Sequence, residues 1–345
     1  MPPRYTVSIP EAIWDTHPDL PDRTVYTKQR ILDNNLDNAH LVTRCRLDNG
    51  QFNASSIPAR YTAGQLDELP AEILIQVLQY TDIPSLTRFR RVSRRAMDLV
   101  DSVPQYRALI KHCPDIIRAI ISLQADAYDL NTLYATLHTS RCDGCKRFGD
   151  HLYLVTCCRV CFFCYTQRLE YYPLTINRAS SYYRKPGERD VKTSHQLLLA
   201  ENFPSVLSLP GRYCTSFGYA GDGGFRAVKR YQLFDRRAVF PDITSHGVPN
   251  PDKMTKEPRR FMCIITAPFL VDNGRQADWG YFCLGCEEKE EEKTQHYRIK
   301  YTREEMYEHT MKYGLVEAKP MLPRRWVHVP FKERKRPSFY QFEDA

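Results

Sequence analysis

Apolar residues recur at helical spacing over residues 66–137, and cap signals divide the stretch into separate helices. From Glu72, the residues Ile73, Leu74, Val77 and Leu78 fall at the i, i+1, i+4, i+5 positions that lay one stripe along a helix. Pro70 stands where a first helical turn tolerates a missing N–H. Asp82 followed by Pro84 caps and opens a second helix, with Leu86 and Phe89 on one face. Ser93 caps a third, which carries Ala96, Leu99 and Val100 inward. Pro104 and Pro114 open two more helices, the second reading Ile116, Ile117, Ile120, Ile121 and Leu123, and another runs from Asp129 to Leu137.

Beyond residue 140 the periodicity shortens. Residues 151–155 (HLYLV) read as a strand, and residues 261–270 (FMCIITAPFL) read as a buried one that takes Cys263 into the core. The stretch from Arg212 to Asp235 reads as strands around a Gly-Asp-Gly-Gly turn. Its glycines lack the Gly-Lys-Ser/Thr ending of a phosphate loop. A helix over residues 302–313 ends at Gly314 as a C-cap. The first 65 residues are polar and proline-rich, with a short helix expected near residues 29–36 and Cys45 a bystander. The last stretch, from residue 317, is basic and reads as a flexible tail.

The chain has 345 residues, enough for two domains, and a net charge of +8 spread along its length. Scattered charge of this size does not suggest a dedicated nucleic-acid binder. No run of 18 apolar residues is present, so no membrane span is expected. The N-terminus has no apolar core of a secretory signal. A cytoplasmic or nuclear location follows as the expectation.

The chain has 12 cysteines, and in a reducing compartment they point to thiols or metal rather than disulfides. Cys142, Cys145, Cys157, Cys158, Cys161 and Cys164 cluster together. Cys142, Cys145, Cys161 and Cys164 make a C-x2-C-x15-C-x2-C set, the spacing of a structural Zn2+ site. Each pair bites the ion from one tight turn, and a helix starting after Cys161 would place its N-terminus near the thiolates. Cys157 or Cys158 are alternates, since Cys158 and Cys161 also stand as C-x2-C. An interleaved eight-ligand RING arrangement does not fit, because His151 is not followed by the required pairs. Cys283 and Cys286 form another pair, and with His309 on the following helix they suggest a second metal site. His296 is the nearest candidate for its fourth ligand, and Tyr313 occupies the obvious helical position. Buried unligated thiols are the alternative reading at both places.

The segment LDELPAEILIQVLQY, an Ile-Pro-Ser-Leu turn and RFRRVSRRAMDLV together resemble the F-box. Where that family often has an aromatic after the Val-Ser-Arg element, this chain has Ala96 and Met97. The stretch from Leu66 to about Pro173 is similar to a group of fungal F-box proteins in which the helices lead into a cysteine cluster. The later Cys283–Cys286 pair and the helix bearing His309 are similar to that group's C-terminal element, with Val160 and Tyr313 standing where relatives carry cysteine. The resemblance implies a substrate receptor of an SCF-type ubiquitin ligase. Such a receptor docks a Skp-type adaptor, and through it a cullin, and recruits a protein substrate that the sequence does not name. The adaptor contact would involve Leu69, Pro70, Ile73, Leu74, Val77 and Leu86, and periodicity does not separate those facing the adaptor from those facing the core.

The resulting expectation is an α+β chain: an N-terminal helical F-box module followed by an α+β cysteine-rich region with short strands and a zinc knuckle. Its parts are an irregular leader (1–65), the F-box-like module (66–112), a helical extension (113–141), the Cys-rich segment (142–173), a substrate-recruiting region holding the second Cys pair (174–316) and the basic tail (317–345). No catalytic constellation stands out, so a binding role is expected rather than an enzyme. The competing reading is a zinc-stabilised nucleic-acid-binding or regulatory protein unconnected with ubiquitin.

Overall fold

The computed structural model describes residues 25–27, 34–47, 61–182, 201–214, 224–240, 258–286, 296–319 and 322–330. The chain falls into two compact units, one of residues 31–279 and a smaller one of residues 1–30 with 280–345. The architecture is α+β: helices first, then short strands interleaved with cysteine clusters.

In the larger unit, the short helix α1 (Leu41–Arg44) precedes six helices: α2 (Ala71–Gln79), α3 (Ile83–Arg90), α4 (Arg94–Ser102), α5 (Pro104–His112), α6 (Pro114–Leu123) and α7 (Leu130–Leu137). Their starts are fixed by short-range hydrogen bonds. Asp82 accepts from the Ser85 N–H at 2.8 Å, Ser93 from Ala96 at 3.1 Å and Asp129 from Thr132 at 2.7 Å. Each bond satisfies one of the first-turn donors a helix leaves open. Helix α6 is apolar nearly all round and buries Ile116, Ile117, Ala119, Ile120 and Leu123, as a helix packed on several sides must. It packs against α1, α3 and α5.

Helix α7 leads into an antiparallel three-stranded sheet with β2 (His151–Tyr153) between β3 (Cys158–Val160) and β9 (Ile264–Thr266). A second such sheet sets β8 (Gln232–Phe234) between β4 (Leu174–Thr175) and β5 (Ser205–Leu207). The glycine-rich stretch forms a hairpin of β6 (Gly211–Tyr213) and β7 (Phe225–Ala227), whose connecting residues 215–223 lie outside the described residues. One continuous hydrophobic core joins Leu74, Leu86 and Leu109 of the helices to Cys142, Cys161, Cys164 and Cys263 of the strand region. The F-box-like helices therefore complete their interior against the rest of the chain, as a module of about 45 residues requires.

Part of the leader also belongs to this core, contrary to its reading as irregular. Leu36 and Leu41 are buried, and Asp37 accepts hydrogen bonds from the backbone N–H and the hydroxyl of Thr266 on β9. The spacing of two isolated leucines in a polar stretch is too sparse to register as a period. The helix expected at residues 29–36 falls largely outside the described residues, although Leu36 opens a 3-10 turn, Leu36–Asn38.

The smaller unit pairs β1 (Val25–Tyr26) with β12 (Phe282–Cys283), with the Tyr26 and Phe282 rings stacked at 5.1 Å. Helix α9 (Arg303–Tyr313) starts with a full capping box between Thr302 and Glu305 and ends at Gly314. It is followed by a hairpin of β13 (Leu315–Lys319) and β14 (Leu322–Val329), in which Val316 pairs with His328. The first residues of the expected flexible tail are thus a strand. The run Trp326-Val327-His328-Val329 follows a strand's alternation rather than a solvated charge run. The described core of this unit is the cluster of Cys283, Leu284, Cys286, Met306 and Val316, with Phe282 and Leu315 also buried, small enough that a staple is expected. The boundary at Gly280 falls inside the segment 174–316, so the second cysteine pair lies in a different unit from the β6–β7 hairpin.

Candidate metal centres and an exposed helix face

The first centre is built on two tight turns. In the 142–145 turn, Cys142 N–H donates to Arg147 O at 2.7 Å and Lys146 N–H to Cys142 O at 3.0 Å. Lys146 adopts φ +65° to close the turn. Gly144 is needed here because a Cβ would lie 3.0 Å from Cys164 Sγ. The second turn is the entry to α8 (Phe162–Gln167), where Cys161 is the N-cap and its backbone N–H donates to Cys142 Sγ at 3.2 Å. The ligand atoms of Cys142, Cys145, Cys161 and Cys164 all lie within 4.8 Å of one another, with Cys145 and Cys161 Sγ 3.5 Å apart. Four sulfurs about 2.3 Å from a tetrahedral ion stand roughly 3.8 Å apart, so this set fits a zinc-sized metal.

Hydrogen bonds from the thiols of Cys161 and then Cys164 hold Cys142 as a thiolate far below the usual cysteine range. The same bonding to Cys142 raises Cys161, and raises Cys164 to about 12. The protons the cluster keeps without an ion are the ones metal binding would expel. A four-thiolate centre holding a divalent ion keeps two net negative charges, and Arg168 beside Cys164 opposes them. Asp143, within the turn, accepts from Arg237 at 3.0 Å and from the Tyr171 hydroxyl at 3.0 Å, which braces the loop from outside.

The alternates Cys157 and Cys158 are turned elsewhere. Cys157 sits at φ +56° in the β2–β3 turn with its sulfur 3.7 Å from the Thr136 hydroxyl, and burial pushes it to about 12. Cys158 Sγ lies 3.4 Å from the Thr156 hydroxyl, and burial raises it too. A strand reverses side-chain direction at each residue, so Cys158 and Cys161, on either side of the end of β3, do not share one bite.

The second centre gathers Cys283, Cys286, His309 and His328. Cys283 Sγ and Cys286 Sγ lie 3.3 and 3.4 Å from His328 Nε2, Cys286 Sγ lies 3.3 Å from His309 Nε2, and the two Nε2 atoms are 3.2 Å apart. Tetrahedral coordination with ordinary Zn–S and Zn–N bonds requires separations of about 3.3–3.8 Å. His328 Nδ1 lies 2.9 Å from Gly314 O, so its N–H donates there and Nε2 keeps a lone pair for the ion. Cys283 is lowered to about 3 by a hydrogen bond from Cys286, followed by those of His309 and His328.

The fourth member of the cluster is therefore His328 rather than His296. The His296 ring packs 5.8 Å from that of His309, and Tyr313 flanks both His309 and His328 as a wall. The hairpin register brings His328 to Val316, just past the helix that carries His309. Alternation around Trp326 was the one signal in the sequence for this ligand. Two glycines permit the approach. A Cβ on Gly285 would lie 2.9 Å from His328 Cδ2, and one on Gly314, at φ +95°, would lie 2.0 Å from Val329 O. Gly314→Ala should destabilise the smaller unit by about 2 kcal/mol or more. A thermal melt combined with metal retention against a chelator would show both losses, and an unchanged melt would mean the hairpin does not depend on that approach.

The six residues expected to contact an adaptor divide on geometry. Leu86 is fully buried and Leu74 is 6% exposed, both in the shared core. Leu69, Ile73 and Val77 are 38%, 45% and 46% exposed, and Pro70 is exposed beside them. Ile73 and Val77 stand one helical turn apart on α2, and Tyr80, 68% exposed and missed by the sequence reading, extends the row. Arg159 had no role in the sequence reading either. Its guanidinium is buried and donates to the carbonyls of Thr136, Leu137, Gly149, Ala267 and Pro268, tying α7 to the Cys-rich turn and to β9 and β10 (Phe269–Val271).

Among the described residues no helix is long and apolar enough to cross a membrane. No curated protein and no solved structure matches the chain. Residues 66–108, which hold α2, α3, α4 and the row of exposed apolar side chains, match the model of the F-box domain.

Proposed function

We propose that this chain is the substrate-receptor subunit of an SCF-type ubiquitin ligase. The reading rests on one observation: the segment that matches the F-box domain presents Leu69, Ile73, Val77 and Tyr80 to solvent while Leu74, Leu78, Leu86, Leu99 and Val100 fill the chain's own core. Side chains exposed at helical spacing suit the groove of a partner, here a Skp-type adaptor that would in turn bring a cullin. The remainder of the chain would present a protein substrate, with two structural zinc ions holding the presenting surface rigid. In this reading the chain binds and positions and carries out no chemistry of its own, in the cytoplasm or the nucleus.

The test is capture of a purified Skp-type adaptor by the full-length chain. One-to-one binding is expected. Ile73→Asp with Val77→Asp should weaken it by about 3 kcal/mol, or roughly a hundredfold in Kd, because each places a charge in an apolar contact. Leu74→Asp is the wrong probe, since that side chain is buried and its charge would unfold the module. No capture by the wild-type chain, or equal capture by the double variant, would overturn the adaptor reading and leave a metal-stabilised protein of another kind.

A further inference from the structure

A cluster of cations surrounds a cavity that neither the adaptor reading nor the metal centres use. This cavity, of about 880 Å³, lies between the end of α3, helix α5 and the residues after α1. Arg46, Arg91, Arg107 and Lys111 line it. All four are exposed, and none is ion-paired with a carboxylate among the described residues. The one acid in the described lining is Asp101, already held side-on by Arg90 (Nε–Oδ1 2.7 Å, Nη2–Oδ2 2.8 Å). Arg107 and Lys111 stand at i and i+4 on α5, where like charges repel. The arrangement costs the fold some stability and leaves a concentrated positive potential in a concave site. Its floor is apolar: Leu47, Ile110 and the buried Tyr106.

We propose that this cavity binds a small molecule carrying clustered phosphate groups. Several cations around one concavity call for an anion of high charge density, and guanidinium forks match phosphate oxygens in pairs. The volume is that of a site for a nucleotide-sized ligand, and the apolar floor would receive the part that carries no charge. The inference does not use the adaptor reading, and adaptor capture should be unaffected by its variants.

Titration calorimetry of the full-length chain with inorganic tripolyphosphate, at near-physiological salt, tests it. A single saturable site with Kd of about micromolar order is expected. Arg107→Ala with Lys111→Ala should weaken binding at least about tenfold and raise the melting temperature of the ligand-free chain, because a repulsive pair is removed. Arg212→Ala with Arg226→Ala, a cross-strand pair on the β6–β7 hairpin away from the cavity, should leave binding unchanged. If the cavity double variant fails to fold, Arg91→Gln alone is read in the same way. No saturable binding to the wild-type chain, several equivalent sites, or equal losses in the cavity and hairpin variants would each overturn the proposal, the last two by showing diffuse attraction to a basic surface.

Discussion

Purified protein should carry two zinc ions per chain, and Cys142→Ser and His328→Ala should each leave one after dialysis against a competing chelator. Structural zinc is worth on the order of 10–16 kcal/mol to the peptides that bind it, which equals or exceeds the whole stability of a typical domain. Among the described residues the smaller unit buries seven apolar side chains, two of them the cysteines of the cluster, so losing its ion should unfold it outright. The larger unit keeps a continuous core without its ion and should loosen around residues 142–164 rather than unfold completely. Chelator competition is needed because three remaining ligands can retain zinc weakly. Cys157→Ser, Cys158→Ser and His296→Ala serve as controls and should keep two ions. Elemental analysis showing one ion in the wild-type chain, or a loss in the controls equal to that in His328→Ala, would remove the assignment of ligands. Acid should release both ions, since protons compete for the thiolates and imidazoles.

Arg159→Met should destabilise the larger unit by about 3–5 kcal/mol, measured by urea unfolding. Methionine fills much of the arginine's volume, so the loss isolates the hydrogen bonds. Five backbone carbonyls face the guanidinium, and at least four would lose their buried donor at once. Burial pulls the arginine to about 10, with Asp150 acting against that shift, so it remains charged at neutral pH. A carbonyl cage suits that charge because the desolvation it suffers is offset by several oxygen dipoles rather than by one carboxylate. A change below about 1 kcal/mol would mean that water or another donor replaces it.

Local chemistry was legible along the chain. The caps Asp82, Ser93 and Asp129 and the openings at Pro104 and Pro114 stand where the helices start, because a cap bond spans only three residues and needs no partner from afar. The spacing of Cys142, Cys145, Cys161 and Cys164 was readable for a similar reason. Each pair sits on its own turn, and only a hairpin separates the two. The burial of Cys263 followed from the apolar run around it. The F-box resemblance rested on order and spacing within one segment of about 45 residues, so it needed no contact from elsewhere in the chain.

Tertiary structure decided what depends on contacts between distant residues. Leu69, Ile73 and Val77 share a periodic pattern with Leu74 and Leu78, and only the packing of α2 on the other helices separates an exposed row from a buried one. His328 became the partner of His309 through the register of a hairpin, which one residue's slip would reverse. Arg159 gained its place from carbonyls contributed by three separate segments, and the leader from two leucines whose neighbours in space lie on α6 and β9. The sequence determined helices, turns and paired thiols, each set by interactions a few residues long. Which face is buried, which histidine completes a centre and where cations converge on a cavity were set by closing the chain on itself.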